Sequence, residues 1–413
     1  MIKRFLTKCL TCGHNNTLRV TLGTDVNQSH SFPCYGCGQR SSIRLEIDFV
    51  NRDHLLDLGD KGSISSPSIK GSSLDNLEWS EEEGTVTNLD PNFLVPEELL
   101  HKDQVFSWMY SARKLPAPNA PDKPGVSDVL NNLGIPRGMR EVLAATIKAT
   151  DFLKRGREDM VAKQFAAISQ YTGFEVKTLE KALGLLIGGF VGVDLQAELA
   201  GIIAVADAAL EANPSQVANM QRWMRNGPYK DFLDRQLSVL RDYLKGYEQF
   251  NQTWVYASKR APVEDNFHPS TRDLDSVRFF YGAAFEQLSS GLALPACINN
   301  IVNGRNFDVF QTMSLSKYLT IDKAGRARCL EGNGAFAPLW DEFDSSLRNG
   351  SHHRGLRLKP DSEYVIEYRT GDGQAWKNLR YSEYLWRCCR IQICLVRLLA
   401  LQLYVLGASS VTK

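Results

Sequence analysis

The sequence predicts a mostly α-helical protein that begins with a small β ribbon and carries one β-hairpin between its C-terminal helices. Three observations predict this architecture. Apolar residues alternate with polar ones near the N-terminus, at Leu18, Val20 and Leu22, which is typical of strands. Apolar residues at helical spacing dominate from about Ser127 onward. The chain of 413 residues is longer than one hydrophobic core usually supports, so we expect several domains.

We expect four regions along the chain: a ribbon over residues 1–50, an acidic and Pro-rich linker with a short helix over 51–125, a helical middle region over 126–228, and a helical C-terminal domain over 229–413. The linker is predicted because acidic residues dominate its centre and four prolines fall between positions 115 and 125. It is either a flexible tether or an acidic shield for a basic surface.

In the C-terminal region, apolar spacing predicts helices over residues 230–254, 276–290, 295–303, 336–347 and 382–406. Two alternating runs around Gly371, Asp372 and Gly373 predict a β-hairpin before the last helix. The most apolar run, over 391–407, contains polar residues and is short for a bilayer span. We therefore expect a buried helix and no membrane association.

Composition and charge place the chain among soluble globular proteins, with 43% hydrophobic and 23% charged residues. The net charge of +1 says little about partners, but the first 44 residues carry six basic residues and one acidic residue, which suits a polyanion. The nine cysteines do not form a disulfide pattern, and no apolar stretch typical of a secretory signal precedes Cys9. These features favour a cytoplasmic protein with reduced thiols.

Four of the cysteines form a metal-binding pattern: Cys9, Cys12, Cys34 and Cys37 make two C-x2-C pairs, and a glycine follows each pair. Each pair can bring two thiolates to about 2.3 Å from one ion, and two pairs complete a tetrahedron. We expect one structural zinc ion without an open coordination position. The ribbon either binds single-stranded nucleic acid or protein, or serves only to stabilise a short module.

A second cluster lies in the segment SLRNGSHHRG, at residues 346–355. RNA is cleaved when its own 2′-OH attacks the adjacent phosphate, provided that a base takes the proton and a cation supports the charge on the phosphate. Histidine can act as that base near neutral pH, and arginine offers a planar set of N–H donors to phosphate oxygens. This chemistry requires no metal ion.

Arg348, Asn349 and His353 resemble the signature of the HEPN superfamily, in which an Arg and a polar residue are followed by a His four to six residues beyond the Arg. The resemblance extends over roughly residues 230–413. It implies a helical HEPN-like domain, metal-independent ribonuclease activity, and pairing into a homodimer or higher homo-oligomer whose two sites share a cleft. It also implies a role as a toxin or anti-phage defence effector.

Helical geometry does not decide which of two histidines is the catalytic one. His352 shares the helix face of Arg348, whereas His353 lies about 140° away on an ideal helix. The family spacing favours His353, and Gly350 can relax the helix to bring it round, so His352 is kept as a second candidate. A stripe of Arg387, Arg390, Arg397 and Tyr404 on the last helix either lines an RNA cleft or forms a salt-bridged face.

Three functions compete at this point. The first is an endoribonuclease with Arg348, Asn349, His353 and His352 as catalytic candidates and RNA as substrate, under the control of a regulatory protein or effector. The second is a noncatalytic module that binds nucleic acid or protein through the ribbon and a dimeric helical domain. The third is a dimerisation domain with a sensor ribbon. Only the first requires both Arg348 and His353.

Overall fold

The structure is a computed structural model that describes residues 2–21, 27–48, 53–57, 64–65, 86–89, 139–190, 193–227, 231–258, 260–263, 269, 273–352, 355–359, 362–369 and 375–407. It is mostly helical, with small sheets, which confirms the predicted fold class at that level. The short helix predicted for the linker lies outside these residues.

The N-terminal part consists of short strands in two sheets. The strands are β1 Ile2–Cys9, β2 Asn15–Thr21, β3 Asn27–Pro33, β4 Arg40–Asp48, β5 Asp53–Asp57, β6 Ile64–Ser65 and β7 Val86–Leu89. One sheet has the order β6-β1-β2-β7 and the other β3-β4-β5. Phe5 on β1 faces Leu18 on β2, and both side chains are buried.

Three of these strands lie beyond the predicted limit of the ribbon at residue 50. β5 pairs with β4, β6 pairs with the end of β1, and β7 runs parallel to β2. The described residues of the region predicted as a linker therefore belong to the ribbon sheets. The sequence did not predict these strands because two to five residues are too few to show a clear alternation of apolar and polar positions. In the structure, their backbone groups form hydrogen bonds with strands that would otherwise have open edges.

The rest of the described chain is dominated by helices, with one small sheet. The helices are α1 Met139–Lys154, α2 Glu158–Thr172, α3 Leu179–Phe190, α4 Val193–Ala212, α5 Pro214–Asn226, α6 Phe232–Lys245, α7 Tyr247–Ser258, α8 Leu274–Gly291, α9 Ala293–Val302, α10 Leu315–Tyr318, α11 Ser345–His352 and α12 Tyr381–Gly407. The sheet contains β8 Leu356–Lys359, β9 Ser362–Tyr368 and β10 Lys377–Arg380. Two 3-10 helices, Lys323–Leu330 and Gly334–Leu339, precede α11.

Two predicted helices are wrong in their limits. The helix predicted over 230–254 is divided into α6 and α7 at Gly246, whose backbone is non-helical with φ −89° and ψ 15°. The helix predicted over 336–347 is instead the 3-10 helix that contains Pro338, followed by a new helix. Asp344 caps this new helix, since its carboxylate accepts a hydrogen bond from the backbone N–H of Leu347 at 2.9 Å. Arg348 therefore lies on a separate short helix, α11, and not after the end of the predicted one.

The predicted hairpin is present as β9 and β10, which pair antiparallel with Ile366 opposite Leu379. β8 adds a third strand, with Leu358 also opposite Ile366. These apolar residues point toward the helices, and Ile366 is fully buried. The sheet directly follows α11, the helix that contains Arg348 and His352, in the chain.

The middle and C-terminal helices share one hydrophobic core, which contains described residues from both sides of the predicted boundary of 228/229. Gln221 on α5 donates to the carbonyl of Val405 on α12, and Gln236 on α6 donates to the carbonyl of Leu395, both at 2.6 Å. α12 lies at the centre of this core. It is the single described helix whose length and hydropathy would allow a membrane span, but 78% of its most apolar window is buried inside the protein. The expectation of a buried helix is confirmed.

Candidate functional site

The structure brings the four predicted metal-binding cysteines together at one end of the ribbon. The Sγ atoms of Cys9, Cys12, Cys34 and Cys37 all lie within 4.8 Å of one another. The Cys9–Cys37 and Cys12–Cys34 sulfur pairs are separated by 3.8 and 3.6 Å. A tetrahedral ion with sulfur bonds of about 2.3 Å has sulfur–sulfur edges of about 3.8 Å. The cluster therefore fits one tetrahedral metal ion.

Each cysteine pair lies on a tight turn that the following glycine closes. The N–H of Gly13 donates to the carbonyl of Cys9, and the N–H of Gly38 donates to the carbonyl of Cys34, each at 2.8 Å. Both glycines have positive φ, 76° and 72°, which residues with a Cβ rarely adopt. Asn16 links β2 to the second turn, because its side-chain amide donates to Sγ of Cys34 at 3.6 Å and accepts from the N–H of Tyr35 at 2.8 Å.

Backbone donors favour the thiolate form that a metal ion requires. The backbone N–H of Cys12 lowers the pKa of the Cys9 thiol to about 6. For Cys34, burial opposes ionisation, but the backbone N–H of Cys37 and the amide of Asn16 outweigh it and lower the pKa. The first cysteine of each turn is thus ready to ionise, whereas for Cys12 a backbone hydrogen bond is outweighed by burial and by the neighbouring sulfur atoms, which raise the pKa to about 12.

The aromatic side chains of the ribbon are only partly available to a ligand. Phe5, His30 and Phe32 are buried, so these three side chains cannot stack on nucleic acid. Burial also lowers the pKa of His30 to about 4 and keeps the imidazole neutral. Tyr35 is 60% exposed and stacks on His14 with ring centroids 5.7 Å apart. This pair is the accessible aromatic surface among the described ribbon side chains.

In the helical part, Arg348 is held at the surface by two neighbours. Its Nε donates to the carboxylate of Glu286 on α8 at 2.7 Å, and its Nη2 donates to the same carboxylate. Its Nη1 donates to the side-chain oxygen of Asn349 at 2.7 Å. These bonds use three of the five guanidinium N–H groups and leave two for an anion. The Arg348 side chain is 23% exposed, so a ligand can reach it.

Glu286 also binds Lys323, which places two cations on one carboxylate. Burial and the nearby positive charges of Arg348 and Arg326 lower the pKa of Lys323. The cluster therefore has excess positive charge and suits a phosphate group. Sequence reasoning missed Glu286 and Lys323, because neither lies near Arg348 in the chain. The one available signal was a glutamate that follows the apolar run from Phe279 to Phe285 on α8.

His352 lies on the same face of α11 as Arg348, as the helical spacing predicted. Its exposed imidazole lies against Gly282 of α8, where an added Cβ would be 2.8 Å from Cδ2 of His352. α11 continues through Gly350, which is buried against Tyr368 of β9, so this glycine allows close packing and does not interrupt the helix. His353 lies outside the described residues.

A network of buried polar side chains holds α11 in position. The hydroxyl groups of Ser351 and Tyr384 lie 2.7 Å apart, and the hydroxyl of Tyr281 donates to the carboxylate of Glu342 at 2.7 Å. The Tyr281 and Tyr384 rings pack at 5.6 Å between centroids. Burial raises the pKa of Glu342 to about 7, although Arg387 at 3.5 Å opposes this shift. The network anchors α11 to α8 and α12.

The arginine stripe of the last helix forms a salt-bridged face and does not line an open cleft. Arg390 is buried, pairs with Asp341 and donates to the carbonyl of Ala257 at 2.8 Å. Arg397 is also buried and pairs with Glu198, and burial lowers its pKa to about 10. These arginines connect α12 to the elements around it, and the carboxylates that they bind lie in the same chain.

Comparison with protein-family models, with curated proteins and with solved structures gives no match to this chain. The chemistry of the two clusters is therefore the basis for assigning a function.

Proposed function

We propose that the protein is a metal-independent endoribonuclease whose site contains Arg348, Asn349, His353 and His352. The observation that carries the proposal is the position of Arg348: Glu286 and Asn349 orient its guanidinium, yet two N–H groups remain for a phosphate. The likeness of this segment to the HEPN signature supports the same function. A purely structural arginine would need neither the excess positive charge of Lys323 nor an adjacent pair of histidines.

In the proposed reaction, the imidazole of His353 takes the proton of a ribose 2′-OH, with His352 as the second candidate for this step. The 2′ oxygen attacks the adjacent phosphorus, and the bond from phosphorus to the 5′ oxygen breaks. Arg348 donates to the nonbridging oxygens as negative charge builds on them. The leaving 5′ oxygen takes a proton from water or from the second imidazole. The products are a 2′,3′-cyclic phosphate and a 5′-hydroxyl end.

The proposal includes a homodimer, or a higher homo-oligomer, in which two such sites face each other. An exposed aromatic residue beside the site supports this arrangement. Phe279 lies on the α8 face that also carries Ala283 and Glu286, one and two turns further along, and it is 70% exposed. A phenyl ring in water is unfavourable, and a second copy that covers α8 would bury it next to Arg348.

The metal in the four-cysteine cluster is proposed to be zinc, which prefers a tetrahedral set of thiolates and serves a structural role when all four positions are filled. Reduced cysteines and a buried apolar last helix suit a cytoplasmic protein. A cytoplasmic ribonuclease of this kind would act as a toxin or anti-phage defence effector, with a regulatory protein or effector that holds it inactive until needed.

The alternative function is a noncatalytic module that binds nucleic acid or protein. One observation favours it: the two cysteine turns expose apolar side chains at matching positions, Leu10 at 53% and Tyr35 at 60%, each directly after the first cysteine of its turn. Such a surface can bind a partner without any contribution from Arg348. In that case Glu286 would simply neutralise a structural arginine.

Cleavage of labelled total RNA and tRNA in excess EDTA separates the two functions. We compare the wild type with Arg348→Ala, His352→Ala and His353→Ala, and use Arg222→Ala as a matched control because Arg222 is an exposed arginine on α5 that contacts Asn219. The proposal predicts cleavage by the wild type and the control, and loss with Arg348→Ala and His353→Ala. RNA binding without cleavage by any of the five proteins supports the alternative.

A further inference from the structure

The small sheet β8-β9-β10 presents a stack of one tryptophan and two arginines. Trp376 lies directly before β10, and the guanidinium carbon of Arg357 on β8 lies 4.2 Å from the centroid of its ring. The guanidinium carbon of Arg369, which follows β9, lies 4.9 Å from the same centroid. Trp376 is 36% exposed and the Arg357 side chain 54%. The stack therefore reaches solvent and holds two planar cations in fixed positions.

Basic side chains outnumber acidic ones among the described residues of the three strands. The described side chains of the three strands and of Arg369 include one acidic residue, Glu367, which pairs with Arg357 at 3.1 Å. They include five basic residues, namely Arg357, Lys359, Arg369, Lys377 and Arg380. A cation–π stack needs only one cation to stabilise a tryptophan, so the further positive charge favours a polyanionic ligand.

The sheet also adjoins the proposed active site. Gly350 on α11 packs against it so closely that an added Cβ would lie 3.1 Å from Cβ of Tyr368. The N–H of Arg369 donates to the carbonyl of Gly355 at 3.0 Å, which ties the stack to the segment directly after α11. Arg348 lies two residues before Gly350 on the other side of this short helix. The stack and Arg348 therefore lie on opposite sides of α11, a helix of eight residues.

We propose that Arg357, Trp376 and Arg369 form a stacking platform that binds an unpaired base of the single-stranded RNA whose scissile phosphate contacts Arg348. This inference rests on the proposed ribonuclease function and names its substrate class. An unpaired base stacks on an aromatic ring or on the flat face of a guanidinium group, whereas the bases of a duplex have no exposed faces except at its ends. Trp376 holds the Arg357 guanidinium in place, and the outer face of that planar group receives the base.

Binding of a fluorescein-labelled single-stranded RNA that carries 2′-O-methyl groups tests the platform, because this probe cannot be cleaved by 2′-OH attack. Fluorescence anisotropy with the full chain should show Kd values about tenfold higher for Trp376→Ala and Arg357→Ala. Arg357→Lys keeps the charge but loses the planar face, so it should weaken binding almost as much. Trp376→Phe keeps an aromatic ring and should stay within about twofold of the wild type.

Tyr171→Ala is the matched control, since Tyr171 is an aromatic residue on α2 with 55% exposure, and its Kd should equal that of the wild type. Thermal unfolding of every variant checks that it is folded. If Trp376→Ala is unstable, the comparison of Trp376→Phe with Arg357→Lys decides whether the platform binds RNA. Wild-type affinity in Arg357→Lys, wild-type affinity in Trp376→Ala, or equal affinity for duplex and single-stranded probes overturns the platform.

Cleavage of unmodified RNA by the same variants separates this inference from the ribonuclease proposal. If the wild type does not cleave RNA but its binding depends on Trp376 and on the planar face of Arg357, the platform stands and the ribonuclease function fails. If the wild type cleaves RNA and Trp376→Ala cleaves with unchanged KM, the ribonuclease stands and the platform is overturned. The expected result is cleavage by Trp376→Ala with a KM raised about tenfold and a similar kcat.

Discussion

The exchange of Glu286 for Gln isolates the role of one charge in positioning Arg348. Glu286 accepts hydrogen bonds from Nε and Nη2 of Arg348 and from Nζ of Lys323. Gln keeps the length and one acceptor oxygen, but its neutral hydrogen bonds are about half as strong as those of a carboxylate. A displacement of about 1 Å in a group that contacts the reacting phosphate can lower the rate about hundredfold. We expect kcat for RNA cleavage to fall about ten- to hundredfold.

The same exchange affects folding much less. The side chains of Arg348, Glu286 and Lys323 are 23%, 25% and 40% exposed, so water already screens these ion pairs. The loss of such a pair costs about 1 kcal/mol of folding stability, which lowers Tm by about 2–4 °C for a domain of this size. The variant therefore stays folded at 25 °C, and a fall in kcat reports on the site.

Steady-state cleavage of a fluorogenic RNA in EDTA gives kcat and KM separately. Removal of the carboxylate makes the site more positive, so KM should stay constant or fall while kcat decreases. Glu175→Gln is the matched control, because Glu175 pairs with Lys177 at 2.6 Å on an exposed loop. An unchanged kcat, or a rise in KM alone, would refute the positioning role of Glu286.

Three further predictions concern the metal, the buried network and the dimer. Cys34→Ser should lower the zinc content, measured by inductively coupled plasma mass spectrometry, from about one ion per chain to well below one, whereas Cys329→Ser, outside the cluster, should retain it. The folded state raises the pKa of Glu342 to about 7, so folding favours the protonated form of this side chain. The folding stability that this preference contributes is fully present below the unfolded pKa of about 4.5 and is lost as the pH rises through 7. Urea denaturation should therefore show Glu342→Gln to be more stable than the wild type at pH 8, on the order of 1–3 kcal/mol, with no gain at pH 4; an equal pH dependence in both proteins would contradict this assignment. Phe279→Arg should convert a dimer into a monomer in light scattering and lower cleavage at least about tenfold, and a dimer that persists would contradict the contact placed at Phe279.

The parts of the fold that could be predicted from the sequence are those determined by residues close together in the chain. The spacing of Cys9 and Cys12 and the glycine after them are enough to predict a metal turn, because each turn folds within five residues. The last helix was predicted to within about one residue from its continuous apolar pattern. The shared face of Arg348 and His352 follows from the four-residue spacing on a helix.

What the sequence did not predict depends on contacts between distant segments. Glu286 is 62 residues from Arg348, and no periodicity links an acidic residue on one helix to an arginine on another. The same holds for Arg397, whose partner Glu198 lies 199 residues away, so its burial could not be inferred from the helix pattern. Gly246 ends one helix and precedes the next without a proline or a polar cluster, which made two helices look like one.

The central claim is that Arg348 supports attack by the 2′-OH of RNA, and the most direct test is cleavage of one short RNA in EDTA by the wild type and by Arg348→Ala. The substrate is prepared both unmodified and with 2′-O-methyl groups throughout, and the ends of the products are identified by mass spectrometry. We expect 2′,3′-cyclic phosphate ends from the unmodified RNA with the wild type only, and no products from the methylated RNA. Cleavage of the methylated RNA, or equal cleavage by Arg348→Ala, would contradict it.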